Sequence, residues 1–122
     1  MISEKMAERI CRDWIKAWND HRMEDLLSLY SDGVELTSPM VVMDLKKPIG
    51  IIKGKEEVRR FYSRGFGLYP DMKYELVQVF AGVNSILFYF RGINGIPTAA
   101  FMALDYDGLV NKVVMHYHHP EK

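Results

Sequence analysis

Cysteine, net charge and long apolar runs are all scarce in this sequence. The lone Cys11 excludes an internal disulfide and a cysteine-based zinc cage, and it is typical of a reducing compartment. Sixteen basic residues balance sixteen acidic ones, so no net positive field favours nucleic acid or an anionic membrane surface. No stretch approaches the roughly 20 apolar residues of a membrane span, and the first ten residues lack a secretory apolar core. We therefore expect a cytoplasmic protein with no nucleic-acid or membrane partner.

The composition that remains is that of an ordinary folded domain. The chain has 122 residues, of which 48% are apolar and 26% charged, and this is enough to bury a core without disulfides or metals. We find no repeat, linker or low-complexity segment. The sequence therefore predicts a single domain over residues 1–122.

The first 70 residues carry three helix patterns. Ser3 can cap a helix in which apolar residues recur every fourth position as far as Trp18. A second, short helix fits residues 23–30. A third begins after Gly54 and is predicted to end at the glycines and proline of residues 65–70.

Two short strands are predicted between these helices. Residues 34–38 alternate between apolar and polar and end at Pro39, as a strand does. Residues 40–53 are ambiguous, with a loop through 44–48 and a short strand at 49–53.

The last third of the chain is predicted to be β, and two turns set the register. Asn94-Gly95 and Asp107-Gly108 both have the sequence of a two-residue hairpin turn. Counting outward from both turns places one group of side chains on the concave face: Leu87, Tyr89, Arg91, Thr98, Met102, Val113, Met115 and Tyr117. The same count places Phe88, Phe90, Phe101 and Val114 on the convex face.

Both predicted faces of this sheet are apolar, and the helices can cover only one of them. A large exposed apolar patch is rare in monomers. The sequence therefore predicts a homodimer through Phe88, Phe90, Phe101 and Val114.

A family resemblance rests on three stretches of sequence. They are residues 18–34 (WNDHRMEDLLSLYSDGV) followed by Ser38-Pro39, residues 52–62 (IKGKEEVRRFY), and residues 105–110 (DYDGLV). These stretches resemble the nuclear-transport-factor-2-like superfamily, particularly its SnoaL-like members. The resemblance implies an α+β fold in which three N-terminal helices pack in the concave face of a strongly curved mixed β-sheet, forming a cone-shaped barrel.

The resemblance also implies a cavity between helices and sheet. It would hold a small apolar organic molecule (polyketide-, steroid- or terpenoid-like) without a cofactor. The ligand-binding residues that it implies are Trp14, Tyr30, Ser38, Tyr62, Met102, Val113, Met115 and Tyr117, and the hairpin count adds Tyr89 and Arg91. Arg91 either holds a ligand carboxylate or pairs with a nearby acid such as Asp71 or Glu75.

The sequence departs from the catalytic patterns of the enzymes that it resembles. Steroid isomerases of this fold have a carboxylate base where Ser38 stands, a tyrosine where Trp14 stands and a protonated aspartic acid where Met102 stands. The epoxide hydrolases have a water-activating aspartate where Met115 stands. A serine without a partner base, an indole and a thioether cannot replace these groups. We therefore predict that the protein does not isomerise steroids.

Three classes of function stay open. They are a cofactor-free enzyme such as a cyclase or isomerase, a ligand carrier without turnover, and a protein-interaction module. The catalytic candidates are Tyr30, Tyr62 and Asp44, although buried tyrosines more often serve packing alone. His116 and His118 have no further ligands at a suitable spacing, so we predict no metal site.

Overall fold

The computed structural model describes residues 1–118 as helices packed against one face of a single sheet. The helices are α1 (Glu4–Asn19), α2 (Met23–Leu27), α3 (Pro39–Leu45) and α4 (Lys55–Leu68). The strands are β1 (Tyr30–Thr37), β2 (Ile51–Lys53), β3 (Glu75–Ala81), β4 (Ser85–Arg91), β5 (Pro97–Leu104) and β6 (Val110–Tyr117). The predicted single domain includes residues 119–122, which lie outside the described residues.

The six strands form one sheet in the order β2-β1-β6-β5-β4-β3. β1 runs parallel to β6, and the other neighbouring strands are antiparallel. Pairing registers shift within the β1–β6, β3–β4 and β5–β6 pairs, and such bulges bend and twist a sheet. The predicted α+β class with a curved mixed sheet is confirmed.

α1 begins and packs as its sequence pattern predicts. The Ser3 hydroxyl accepts a hydrogen bond from the Met6 amide at 3.1 Å, which caps the helix. Its buried side includes Ile10, Trp14 and Trp18, and this apolar stripe packs against the sheet. No helix within residues 1–118 has the length and apolarity to cross a membrane.

α2 is shorter than predicted, and Tyr30 belongs to a strand. The helix ends at Leu27, and β1 begins at Tyr30. The Val110 amide donates to the Leu29 carbonyl at 2.8 Å, which pairs this segment with β6. Tyr30 is fully buried there, because a strand in the middle of a sheet covered by helices carries its side chain into the core.

Residues 39–45 form a helix that the sequence pattern did not predict. The Ser38 hydroxyl accepts a hydrogen bond from the Met40 amide at 3.1 Å, and Pro39 occupies the first helical position. Both are known helix-start features. Residues 1–118 therefore contain four α-helices and not the predicted three.

α4 ends within the predicted range of residues 65–70. It passes through Gly65 and Gly67 and ends at Leu68, two residues before Pro70. A glycine inside a helix costs only about 1 kcal/mol relative to alanine. The apolar side of α4 packs against the core through Val58 and Tyr62, and this burial outweighs that cost.

The predicted register between β4 and β5 is wrong by one residue. The Ile96 amide donates to the Ile93 carbonyl at 3.1 Å, as in the predicted turn, and Asn94 and Gly95 both have positive φ. However, the Ile96 carbonyl accepts a hydrogen bond from the Gly92 amide at 2.8 Å. Gly92 and Ile93 of the first strand end therefore both oppose Ile96, which forms a bulge beside the turn. Arg91 consequently pairs with Pro97.

This slip moves every side chain of β4 to the opposite face from the one predicted. Phe88 and Phe90 face the helices with exposed fractions of 0% and 1%, so they cannot form the predicted dimer surface. Leu87, Tyr89 and Arg91 lie on the convex face, so they are not concave-face residues. Burial of two phenylalanines in the core favours the bulged turn over the regular one.

The predicted register between β5 and β6 is confirmed. Met102 pairs with Val113 and Phe101 pairs with Val114 on opposite faces. Thr98 pairs with Tyr117 at the far end. The convex face consequently keeps Phe101 and Val114, both half-buried, and it gains Leu87, which is 44% exposed.

Candidate functional site

A cleft of about 60 Å³ lies between α1, α3, α4 and the concave face of the sheet. Its wall includes predicted site residues from four elements and from the N-cap of α3: Trp14, Ser38, Asp44, Tyr62, Met115 and Tyr117. A cavity needs roughly 10–15 Å³ to hold one water molecule. The cleft therefore has room for a few waters or for one compact organic group.

The other predicted ligand-binding residues do not line this cleft. Tyr30, Met102 and Val113 are fully buried in the core. Tyr89 and Arg91 lie on the convex face, where Arg91 is within 4.0 Å of Glu75. Of the two predictions for Arg91, the structure supports pairing with the local acid, and this arginine does not face the cleft.

Trp14, Tyr30 and Tyr62 form a hydrogen-bonded chain from the core to the cleft wall. The Trp14 indole N–H donates to the Tyr30 hydroxyl at 2.8 Å. The Tyr30 and Tyr62 hydroxyl oxygens are 2.6 Å apart. Because α1, β1 and α4 each supply one member, the chain fixes the Tyr62 ring against the cleft. Tyr30 thus acts on the site by positioning Tyr62.

These two tyrosines stay protonated over the whole physiological range. Burial raises the pKa of Tyr30 to about 12, although its two hydrogen bonds oppose the rise. Burial also raises the pKa of Tyr62 well above its ordinary value, and the facing Tyr30 adds to this. Both are therefore neutral hydroxyls at pH 7 that can orient a ligand oxygen, and neither is a base.

Ser38 and Tyr117 form a second polar pair in the wall. Ser38 is buried, and its hydroxyl is already used to cap α3. Burial raises the pKa of Tyr117, a hydrogen bond to the Ser38 side chain lowers it, and the proximity of Tyr69 and of the Asp44 carboxylate raises it again. Asp44 is thus close enough for its charge to act on the Tyr117 hydroxyl.

Asp44 is the one charged residue in the wall among the residues described. The sequence placed it in a loop, but α3 carries it to the cleft beside Ser38 and Met40. Its carboxylate lies 3.9 Å from the Arg64 guanidinium, which is half exposed. A long ion pair at the surface contributes little energy, so Asp44 remains available to a ligand.

Much of the aromatic wall was not predicted. Trp18, Tyr69 and Tyr74 all line the cleft. Asn19 holds the segment that carries the tyrosines, because its side chain bonds the Tyr74 carbonyl at 2.9 Å and the Tyr74 amide at 2.6 Å. The apolar spacing of α1 indicated that Trp18 is buried, but no local pattern indicated this long-range clamp.

No group of three or more histidine, cysteine, aspartate or glutamate side chains within residues 1–118 is placed to hold a metal ion. The side chains of the wall can take part in proton transfer, hydrogen bonding and contact through aromatic rings. Asp44 supplies a charge, and Tyr62 and Tyr117 supply hydroxyls.

The chain belongs to the SnoaL-like domain family, whose model matches residues 11–118. A crystal structure of a SnoaL-like protein of unknown function from Burkholderia thailandensis is 34% identical, with a TM-score of 0.94 over 97% of this chain and 98% of that chain. The resemblance predicted from the sequence is thereby confirmed.

More distant structures share the fold alone. A nuclear-transport-factor-2-like protein from Anabaena variabilis is 14% identical, with a TM-score of 0.77 over 98% of this chain and 96% of that chain. The epoxide hydrolase/cyclase-like enzyme SalBIII, described in pyran ring formation in the polyether salinomycin, is 12% identical, with a TM-score of 0.75 over 97% and 95%. None of the curated proteins compared with the chain matches it.

Proposed function

We propose that this protein binds a small, largely apolar organic molecule that carries at least one polar group. One observation supports the proposal above all. Asp44, which carries a carboxylate, and Tyr62 and Tyr117, which carry two hydroxyls, line one cleft whose other lining residues are mostly aromatic or aliphatic. A few convergent polar groups in an apolar concavity are typical of small-molecule sites.

We further propose that Asp44 is the group through which any reaction in the cleft would proceed. An ionised carboxylate can accept a proton, and the protonated Tyr62 hydroxyl can hydrogen-bond a ligand carbonyl or hydroxyl. The enzyme would need no cofactor. The reaction would not be steroid isomerisation, since Ser38 stands where that chemistry needs a carboxylate base and Met102 stands where it needs a protonated aspartic acid.

The cytoplasmic location expected from the sequence forms part of this proposal. Cys11 is a buried free thiol, and burial raises its pKa to about 12. Such a thiol packs as a small apolar group and does not react readily.

Filling the cleft from α4 is expected to abolish ligand binding. Gly65 lines the cleft, and a Cβ atom there would lie 3.8 Å from the Trp18 ring, which is ordinary contact. Gly65→Leu should therefore fold and occupy the space of the ligand. In a thermal-shift screen of small oxygenated and nitrogenous compounds, the wild type should give hits of several degrees, because ligands that bind only the folded state stabilise it.

Gly67→Leu is the matched control. It makes the same change in the same helix, but Gly67 is exposed and nothing lies within 4 Å of its Cβ position. Its hits should equal those of the wild type. Hits that persist in Gly65→Leu would place the binding site elsewhere and refute the proposal.

We also propose that two copies associate through the convex face, with residues corrected from the sequence-based prediction. Phe88 and Phe90 are core residues and take no part. The surface instead consists of apolar side chains that are half-buried or exposed: Phe80, Leu87, Tyr89, Phe101 and Val114. A contiguous apolar patch on a sheet face is typical of a surface that another protein covers.

Sedimentation tests this association. The wild type at micromolar concentration should have twice the chain mass of 14.2 kDa. Leu87→Glu should give single chains, because a dimer of this variant would have to bury a carboxylate at its interface. Val83→Glu is the control, since Val83 is exposed in the turn before β4. A wild type that sediments as single chains would contradict the proposal.

A further inference from the structure

We infer that the cleft takes a small organic cation, an amine or a quaternary ammonium alcohol. This inference rests on the proposed function and names the class of ligand. Among the described residues of the wall, Asp44 carries the only charge, and no lysine, arginine or histidine lines the cleft. An anionic ligand would meet no cation there, whereas a cationic one would meet a carboxylate.

The aromatic content of the wall points to the same class. Seven of its members are aromatic: Trp14, Trp18, Phe61, Tyr62, Tyr69, Tyr74 and Tyr117. The faces of such rings attract cations, and clusters of rings are a known means of binding quaternary ammonium groups. These rings are also held in place by one another, with the Trp18 ring centre 4.7 Å from that of Tyr62 and 5.6 Å from that of Tyr74.

The hydroxyls of the wall complement a cation that also carries an oxygen. Tyr62 is neutral and anchored by Tyr30 at 2.6 Å, so it offers hydrogen bonding without a second charge. Tyr117 also lines the cleft, and its pKa is raised chiefly by burial, to which the nearby Asp44 carboxylate adds.

Arg64 is the competitor for Asp44. Its guanidinium lies 3.9 Å from the carboxylate, and it is half exposed and not part of the wall. A pair of this length in contact with water is weak. A ligand ammonium that approaches from the cleft side can replace it, and the arginine then returns to solvent.

Choline and its neutral carbon isostere, 3,3-dimethylbutan-1-ol, test the inference by calorimetry. The two alcohols have nearly the same shape and differ in charge. We expect choline to bind the wild type about tenfold more tightly than the isostere. Asp44→Asn should remove most of this preference and leave the isostere unaffected, while Arg64→Gln should strengthen choline binding severalfold.

The other outcomes overturn the inference. Equal affinity for the two alcohols, an unchanged preference in Asp44→Asn, or binding of neither compound would each show that the cleft does not select a cation. The proposed function fails separately. The proposed function would stand if neutral compounds give thermal shifts that are lost in Gly65→Leu and kept in Gly67→Leu. It would fall if no compound gives such a shift.

Discussion

Phe88→Ala is expected to lower the free energy of unfolding by about 3–5 kcal/mol. Leu87→Ala, one residue earlier in β4, should lower it by less than about 1 kcal/mol. The difference follows from the register between β4 and β5. Phe88 is fully buried and packs edge-on against Trp14 at a centroid distance of 5.2 Å, whereas Leu87 is 44% exposed on the convex face.

Urea unfolding of the two variants measures this difference. A loss of about 3–5 kcal/mol is a large share of the 5–15 kcal/mol that a domain of this size has, so Phe88→Leu provides a milder variant that still folds. Measurements at two protein concentrations separate the contribution of Leu87 to association from its contribution to the fold. The register expected from the turn alone would reverse the order, with Leu87→Ala the more damaging change.

The architecture could be predicted because its signals are local. Two of these signals are clear within short segments of sequence. In α1, apolar residues recur at every fourth position after the capping Ser3, and the Asp107-Gly108 turn sets the register between β5 and β6. The register between β4 and β5 could not be predicted this way. Asn94-Gly95 forms the expected turn, but the bulge beside it depends on which face of β4 the core can accommodate, and this is a tertiary property.

The site was harder to predict than the fold, for two physical reasons. The first reason is that α3, which carries Asp44 to the cleft, was not predicted. Ser38-Pro39 was interpreted as the end of a strand, although a serine followed by a proline is also typical of a helix start. The second reason is that the position of Tyr74 depends on Asn19, which lies 55 residues away along the chain. Residues such as Tyr62 and Met115 were found because the family resemblance gave their place in the cone.

Raising the pH above about 10 is expected to destabilise the protein steeply, with Tyr30 as a principal cause. Burial raises its pKa in the folded state to about 12, whereas a tyrosine in the unfolded chain has a pKa of about 10. Between these values the unfolded chain has released the phenol proton and the folded chain still holds it. Stability therefore falls as the pH rises, because the unfolded state binds fewer protons.

The expected loss from Tyr30 alone is roughly 2–3 kcal/mol between pH 10 and pH 12, at about 1.4 kcal/mol per unit. Tyr62 adds to it, since burial shifts its pKa in the same direction. Urea unfolding at a series of pH values from 8 to 11 measures the slope, and phenolate absorbance shows which tyrosines titrate late.

Tyr30→Phe isolates the contribution of this residue from that of lysines that titrate in the same range. The variant should be less stable at pH 7, because it leaves the buried Trp14 indole N–H without its acceptor, at a cost of about 1–3 kcal/mol. Its stability should then fall less steeply with pH than that of the wild type. Tyr106→Phe, at a fully exposed position, should follow the wild-type profile at every pH. If the profiles of Tyr30→Phe and the wild type run parallel above pH 10, the Tyr30 hydroxyl ionises as freely in the folded chain as in the unfolded one, and the hydrogen-bonded chain that we describe does not exclude water.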